Sequence, residues 1–294
     1  DRAWDGDVST DAVYGDAVMP LLQVALSGGG ATLLCMGQTG TGKTHTISGV
    51  TKCLSADLHG HGDIEVEFFE IYGKKCLDLL ADRQEVHLRA DEGDRVCVRG
   101  QRSVRIPDGE GLTEVLGQAL RLRASEETER NAASSRSHAV CTLRLGGGAG
   151  GYLRLVDLAG SERNFETTKM TAAQHRESAD INASLMVLKD CFRAHAAHQR
   201  GERMLMPFRR SQLTRVLRDC FTDPEHRTVV IATISPASAD VIHTVNTLVH
   251  ATMLAKPLAD LASEVAMDIP LHFGGQGTFK DLPVIDWTPS DVMA

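Results

Sequence analysis

Nowhere in this 294-residue chain does an apolar stretch approach the ~20 residues a helix needs to cross a bilayer, and no signal peptide opens it, so no membrane span is expected. Net positive charge is missing too. The formal charge is −8, which argues against nucleic acid as a partner. The seven cysteines (35, 53, 76, 97, 141, 191 and 220) contain no C-x-x-C pair and stand at irregular spacings, which predicts reduced thiols in a cytoplasmic protein. His59-Gly60-His61 has no further ligand at useful spacing, so it reads as a solvent loop and not a metal site. No internal repeat and no heptad run occur, so no coiled coil is expected in these residues and oligomeric state stays open. Nor is there a linker before residue 256. One domain is expected over 1–256, with 42% hydrophobic side chains to fill its core. After Pro257 the periodicity is lost and the charge balance turns acidic, so 257–294 is expected to be a poorly ordered tail.

What is present is organised around Gly37-Gln38-Thr39-Gly40-Thr41-Gly42-Lys43-Thr44, which spells G-x-x-x-x-G-K-[ST]. The apolar run from Ala31 to Met36 precedes it as a buried strand, and His45-Thr46-Ile47 begins a helix after it. In that context the glycines let backbone N–H groups turn toward phosphate oxygens, and the helix N-terminus adds partial positive charge. Lys43 would reach the β- and γ-phosphates, and the Thr44 hydroxyl would ligate Mg²⁺. A second signal lies downstream: an apolar strand from Tyr152 ends in Asp157-Leu-Ala-Gly160. Its aspartate is placed to hold Mg²⁺ through water and its glycine N–H to meet a γ-phosphate.

Around these motifs the periodicity predicts a helix over Ser9–Leu26 and a strand over Ile64–Tyr72. A helical turn is expected at Cys76–Leu80, and a small antiparallel excursion between Val86 and Ile106. Helices follow at Leu112–Arg123 and Ile181–His195, after Pro207, and at Val241–Lys256. Strands are expected at Ala139–Leu145 and at Thr228–Ile234, the latter with the form of a central strand. Between Arg200 and Arg218 six arginines face one acid, a net +5 within an acidic chain, and Lys189 and Arg193 share a helix face beside them. Such a patch suits an acidic partner.

Three spellings resemble the kinesin motor domain: GQTGTGKT as the phosphate loop, NAASSRSH (Asn131–His138) as switch I and DLAGSE (Asp157–Glu162) as switch II. FFEIYGKKCLDLL, INASL, PFRRSQLTRVLRDCF, RTVVIATISP and NTLVHATMLAK agree, so the resemblance runs from about Val13 to Lys256. Leu188–Ala194 also resembles the switch II helix of the internal-motor, microtubule-depolymerising kinesins. The resemblance implies an α/β fold of phosphate-loop NTPase type, with a mostly parallel twisted central sheet and helices on both faces. It implies ATP and Mg²⁺ as cofactors, microtubule-stimulated hydrolysis, tubulin as partner and a place on the cytoskeleton. Carried over by position, residues 37–44 and Gly160 bind nucleotide, with His45 stacking on the base, and Thr44, Ser135 and Asp157 serve the metal. Ser135 lies at the reacting phosphate, Asn131 and Ser134 shape its pocket, and Arg136 pairs with Glu162, which draws a proton, through water, from the attacking water. Lys189, Arg193, Arg209, Arg210 and Arg215 would meet the microtubule.

The chain departs from that pattern in three places. The family's arginine-proline adenine segment, on a first strand upstream of Ser9, is not among these residues, so the domain is expected to be N-terminally truncated. The segment between His45 and Phe68 is short, and Gln212 replaces a lysine. These departures motivate an alternative: a tubulin-binding module derived from a kinesin but catalytically impaired.

Overall fold

The computed structural model describes residues 2–91, 96–107, 109–130, 136–146, 150–161 and 172–252, and the side chains of these except at 110, 124–130 and 172–178. A nine-stranded sheet runs in the order β5-β4-β3-β2-β7-β8-β1-β9, with β6 pairing to β2. Its strands are β1 (Gly30–Gly37), β2 (Ile64–Tyr72), β3 (Lys75–Asp78), β4 (Gln84–Ala90), β5 (Val96–Arg99), β6 (Ser103–Ile106), β7 (His138–Leu145), β8 (Tyr152–Asp157) and β9 (Arg227–Thr233). The sheet is mixed. Among the described residues only β8-β1-β9 is parallel, and β2, β3, β7 and their neighbours run antiparallel. The expected mostly parallel character therefore belongs to the part that carries the phosphate loop. Elsewhere short connections such as Gly73-Lys74 leave room only for a hairpin.

Period-two alternation divides the strands between two cores. Ala31, Leu33 and Cys35 of β1, with Cys141 and Leu143 of β7, join α1 (Thr10–Ala17), α2 (Met19–Leu26), α3 (Lys43–Asp57) and α4 (Glu110–Arg130) on one face. Leu34 and Met36 of β1, with Val140 and Val156, face α5 (Ala172–Gln199), α6 (Gln212–Val216) and α7 (Asp219–Thr222) on the other. The last helix, α8 (Val241–Thr252), packs by Ala251 against this second core. Helices on both faces are as the resemblance implied.

Local corrections have local causes. The single helix expected over Ser9–Leu26 is two: Ser9 caps α1 by accepting from Ala12 N–H, and Pro20 sits in the first turn of α2. Cys76–Leu80 is no helical turn. Lys75–Asp78 pairs with β2 as a strand, and the Asp78 carboxylate then accepts from Leu80 N–H to start the turn. After Pro207 a 3-10 turn at Phe208–Arg210 precedes α6, because Ser211 breaks off to cap α6 through Thr214 N–H. Strand β9 has a central strand's composition but lies at the end of the sheet among the described residues. The poorly ordered tail expected over 257–294 falls outside those residues.

Phe192 is fully buried on α5, its ring 5.8 Å from that of Phe221, and it ties the long helix to α7. Phe192→Ala should lower unfolding free energy by about 3–5 kcal/mol in a denaturant titration. A loss under about 1 kcal/mol would show that α5 is not anchored there.

Candidate nucleotide site

The phosphate loop closes at the C-terminal end of β1, where β9 approaches closely: a Cβ on Gly37 would stand 2.2 Å from the Thr233 carbonyl oxygen. Gly40 and Gly42 adopt left-handed φ angles of 83° and 99°, and among the described residues, chain neighbours aside, no atom lies within 4 Å of where a Cβ would stand on either. The loop is thus braced on one side and open on the other. Thr41 Oγ1 donates to Gln38 O at 2.8 Å and lies 2.7 Å from Thr233 Oγ1. Gln38 Nε2 donates to Asp240 Oδ1 at 3.1 Å, and hydrogen bonds from Ser235 and Gln38 hold the Asp240 carboxyl below its ordinary range. Lys43 is buried, and its ammonium donates to Gln38 O at 2.8 Å.

Asp157 ends β8 opposite Cys35 of β1, 3% exposed. Its Oδ2 accepts from Thr44 Oγ1 at 2.7 Å and from Arg123 at 2.8 Å. Its Oδ1 is buried without a hydrogen-bond partner among the described residues. A buried carboxylate oxygen left unsatisfied is costly. With a threonine hydroxyl and an open glycine loop beside it, this donor set fits Mg²⁺ carried in with nucleotide phosphates.

From Asp157 the chain runs back to the loop and across to α5. Ser161 N–H donates to Gly37 O at 3.1 Å, and Ala159 N–H donates to His138 Nδ1 at 3.1 Å. Because Nδ1 accepts there, the ring proton sits on Nε2 and is donated to Ser184 Oγ at 2.7 Å, which donates in turn to Ile181 O. Gly160 is buried between these two tethers. One neutral imidazole thus joins β7, the loop after β8 and α5. Burial, reinforced by the Arg123 guanidinium, pushes His138 down to about 3.

The structure brings Gly37–Thr44, Asp157 and Gly160 together, with His45 exposed on the first turn of α3. Arg136 lies just before Ser137, while Asn131, Ser134, Ser135 and Glu162 lie outside the described residues. The basic residues fall on α5 and around α6. Arg193 and Arg210 both approach Asp190, at 2.7 and 3.8 Å, and remain largely exposed. Arg209 stacks on Phe208 and is exposed. Arg215 differs: it donates to Gln212 and to Leu88 O and is half-buried, so part of its charge is spent holding β4. Lys189 is half-buried. Sequence reading missed Arg123, Glu70 and the part played by His138. Arg123 had a signal, since it continues the core stripe Leu112, Leu116, Ala119 at spacings of four, three and four.

A mixed sheet wrapped by helices, with a glycine loop between strand and helix facing the aspartate of the next parallel strand, defines a phosphate-loop NTPase fold. Residues 1–256 match the family described as the kinesin motor domain, and the chain belongs to that family. It is 41% identical over 265 residues to the diatom spindle kinesin-1 of Cylindrotheca fusiformis, covering 85% of this chain and 41% of that protein. It is 37% identical over 270 residues to the kinesin-like protein KIN-13B of Arabidopsis thaliana, covering 85% and 39%. The chain thus spans about two fifths of the length of these curated relatives. Among solved structures it resembles a KIF14 dimer with AMP-PNP in complex with a microtubule, at 28% identity and a TM-score of 0.72 over 86% of this chain and 79% of that one.

The buried histidines give a pH prediction. In the folded state His138 is neutral down to about 3 and His226, buried beside Arg154, down to about 4, whereas in the unfolded chain each takes a proton below ~6.5. Their contribution is therefore complete above pH ~6.5 and lost as pH falls from there toward 4, at up to about 1.4 kcal/mol per pH unit each. Denaturant midpoints measured from pH 7.5 to 4.5 should fall accordingly, and His138→Gln should have a shallower slope. Equal slopes would contradict a neutral His138.

Proposed function

We propose that this chain is a Mg²⁺-dependent ATPase that binds microtubules and works as a kinesin-type motor domain of the cytoskeleton. The observation that carries the reading is the contact of Thr44 Oγ1 on Asp157 Oδ2 at 2.7 Å, which joins the two halves of a metal–phosphate site. Mg²⁺, when bound, would neutralise charge on the β- and γ-phosphates. Thr44, Ser135 and, through water, Asp157 would hold it, and the loop N–H groups with Lys43 would bind the phosphates. Gly160 N–H and Ser135 read the γ-phosphate, with Asn131 and Ser134 shaping its pocket. Arg136 and Glu162 close the two switches on each other, and Glu162 takes the proton of the attacking water. The tether of Ala159 to His138, and of His138 to Ser184, supports a direct path from that event to α5.

Microtubule binding by the α5–α6 face has support from its exposed Arg193, Arg209 and Arg210 and from the microtubule in the KIF14 complex. Relatives named KIN-13 support the internal-motor resemblance of Leu188–Ala194. Steady-state phosphate release should rise on adding microtubules, and co-sedimentation should depend on nucleotide. Binding indifferent to ATP, ADP or an unhydrolysable analogue, with no stimulated release, would instead mark an impaired tubulin-binding module.

Point variants separate the roles. Lys43→Ala should weaken nucleotide binding itself, since its charge meets the phosphates in the ground state. Glu162→Ala should leave binding nearly unchanged and lower turnover by ~10²-fold or more. Arg136→Ala should match it, with the double variant little worse than either. Additive losses would show that the two residues do not act as a pair.

A further inference from the structure

A chain of buried polar groups leads away from the candidate metal carboxylate, starting at the same oxygen that accepts from Thr44. Arg123, 2% exposed, donates to Asp157 Oδ2 and, through another guanidinium nitrogen, to Ser137 O at 2.8 Å. Its Nε donates to Ser137 Oγ at 3.3 Å, and that hydroxyl donates to Glu70 Oε2 at 3.0 Å. Glu70, 1% exposed within the apolar strand β2, pairs by Oε1 with Arg83 at 2.6 Å. Arg83 sits in the turn between β3 and β4, where Asp82 and Arg83 both take left-handed φ angles, 46° and 61°. Two consecutive non-glycine residues in that region store strain, and such strain persists only where other contacts over-determine it.

The charges alternate, with Asp157 negative, Arg123 positive, Glu70 negative and Arg83 positive. Removing one member would leave an uncompensated buried charge next to the others. The planar fork of Arg123 bonds Asp157 and Ser137 at once, which fixes the carboxylate by Oδ2 and leaves Oδ1 for another partner. We propose that Arg123 is a positioning residue for the metal-holding carboxylate of Asp157, and that Glu70 and the strained Arg83 turn, acting through Ser137, set where Arg123 stands. The proposal rests on the nucleotide-site reading above. It adds that the β3–β4 turn, which touches no phosphate-loop residue in these bonds, tunes how tightly the metal is held. Groups that orient a metal ligand from outside change metal affinity by about 10- to 100-fold when altered.

The test follows dissociation of a fluorescent methylanthraniloyl-ADP from the full chain, across free Mg²⁺ from EDTA conditions to millimolar. Wild type should release ADP more slowly as Mg²⁺ rises. Arg123→Lys keeps the charge but not the fork, and should raise the Mg²⁺ midpoint by about 10-fold or more. Ser137→Ala and Arg83→Gln should move it the same way by about threefold or more. Thermal melts of the same samples separate mere destabilisation. Lower melting temperatures with Mg²⁺ midpoints within about twofold of wild type would make the chain of groups structural only and overturn the proposal. Should Arg123→Lys fail to fold, Ser137→Ala, which keeps every charge, decides the question by the same criterion. A wild type that binds no ADP at any Mg²⁺ removes the nucleotide reading along with this proposal. Mg²⁺-dependent binding with unshifted variants removes the proposal alone.

Discussion

A carboxylate 3% exposed at the end of a strand cannot stand alone, and the arrangement around Asp157 follows from that requirement. One of its oxygens takes a hydroxyl from the loop helix and a guanidinium from α4; the other remains without a protein partner among the described residues. Parallel β8-β1-β9 brings Asp157 beside the loop, since a parallel strand delivers its end to the same edge as its neighbour. Strand β2 of the antiparallel remainder supplies Glu70, and the residue just before β7 supplies Ser137; together they settle the arginine that the carboxylate needs.

Two cores flank the strands that carry the site. Strands β1, β2, β7 and β8 divide their side chains between α1–α4 and the α5–α7 layer. His138 joins the loop after β8 to the second of these layers. Its tautomer is dictated by the backbone N–H that it accepts, and its other nitrogen reaches α5 at Ser184. Burial keeps its imidazole neutral across the physiological range. The exposed arginines lie on α5 and its C-terminal neighbours, at the far end of that connection.

Much of this was legible in the sequence, because the loop and the Asp157 segment carry their function in short local spellings. The phosphate-loop strand followed from a short apolar run bounded by glycines and the basic face from charge, whereas the two-sided layering came from the resemblance to the kinesin motor domain. Other features depended on tertiary contacts that periodicity cannot report. Cys76–Leu80 suits a helix by spacing, yet Lys75–Asp78 pairs with the hydrogen-bonding edge of β2. Pro20 was visible, but the apolar stripe on either side of it concealed the break between α1 and α2. Arg123 and Glu70 sit on apolar stripes, where a charged residue looks like a flaw in the pattern until its partner is known; those partners lie 34 and 13 residues away, at Asp157 and Arg83.

The central claim is that the γ-phosphate state at the loop reaches α5 through the segment after Asp157. Hydrogen–deuterium exchange with Mg²⁺ and either ADP or an unhydrolysable ATP analogue tests it at the amides of Ile181–Leu188. The account predicts that residues 37–44 are protected by both nucleotides while exchange at 181–188 differs between them by severalfold. Equal exchange at 181–188, with the loop protected in both cases, would mean that nucleotide binds without being heard by the helix, and would contradict the account.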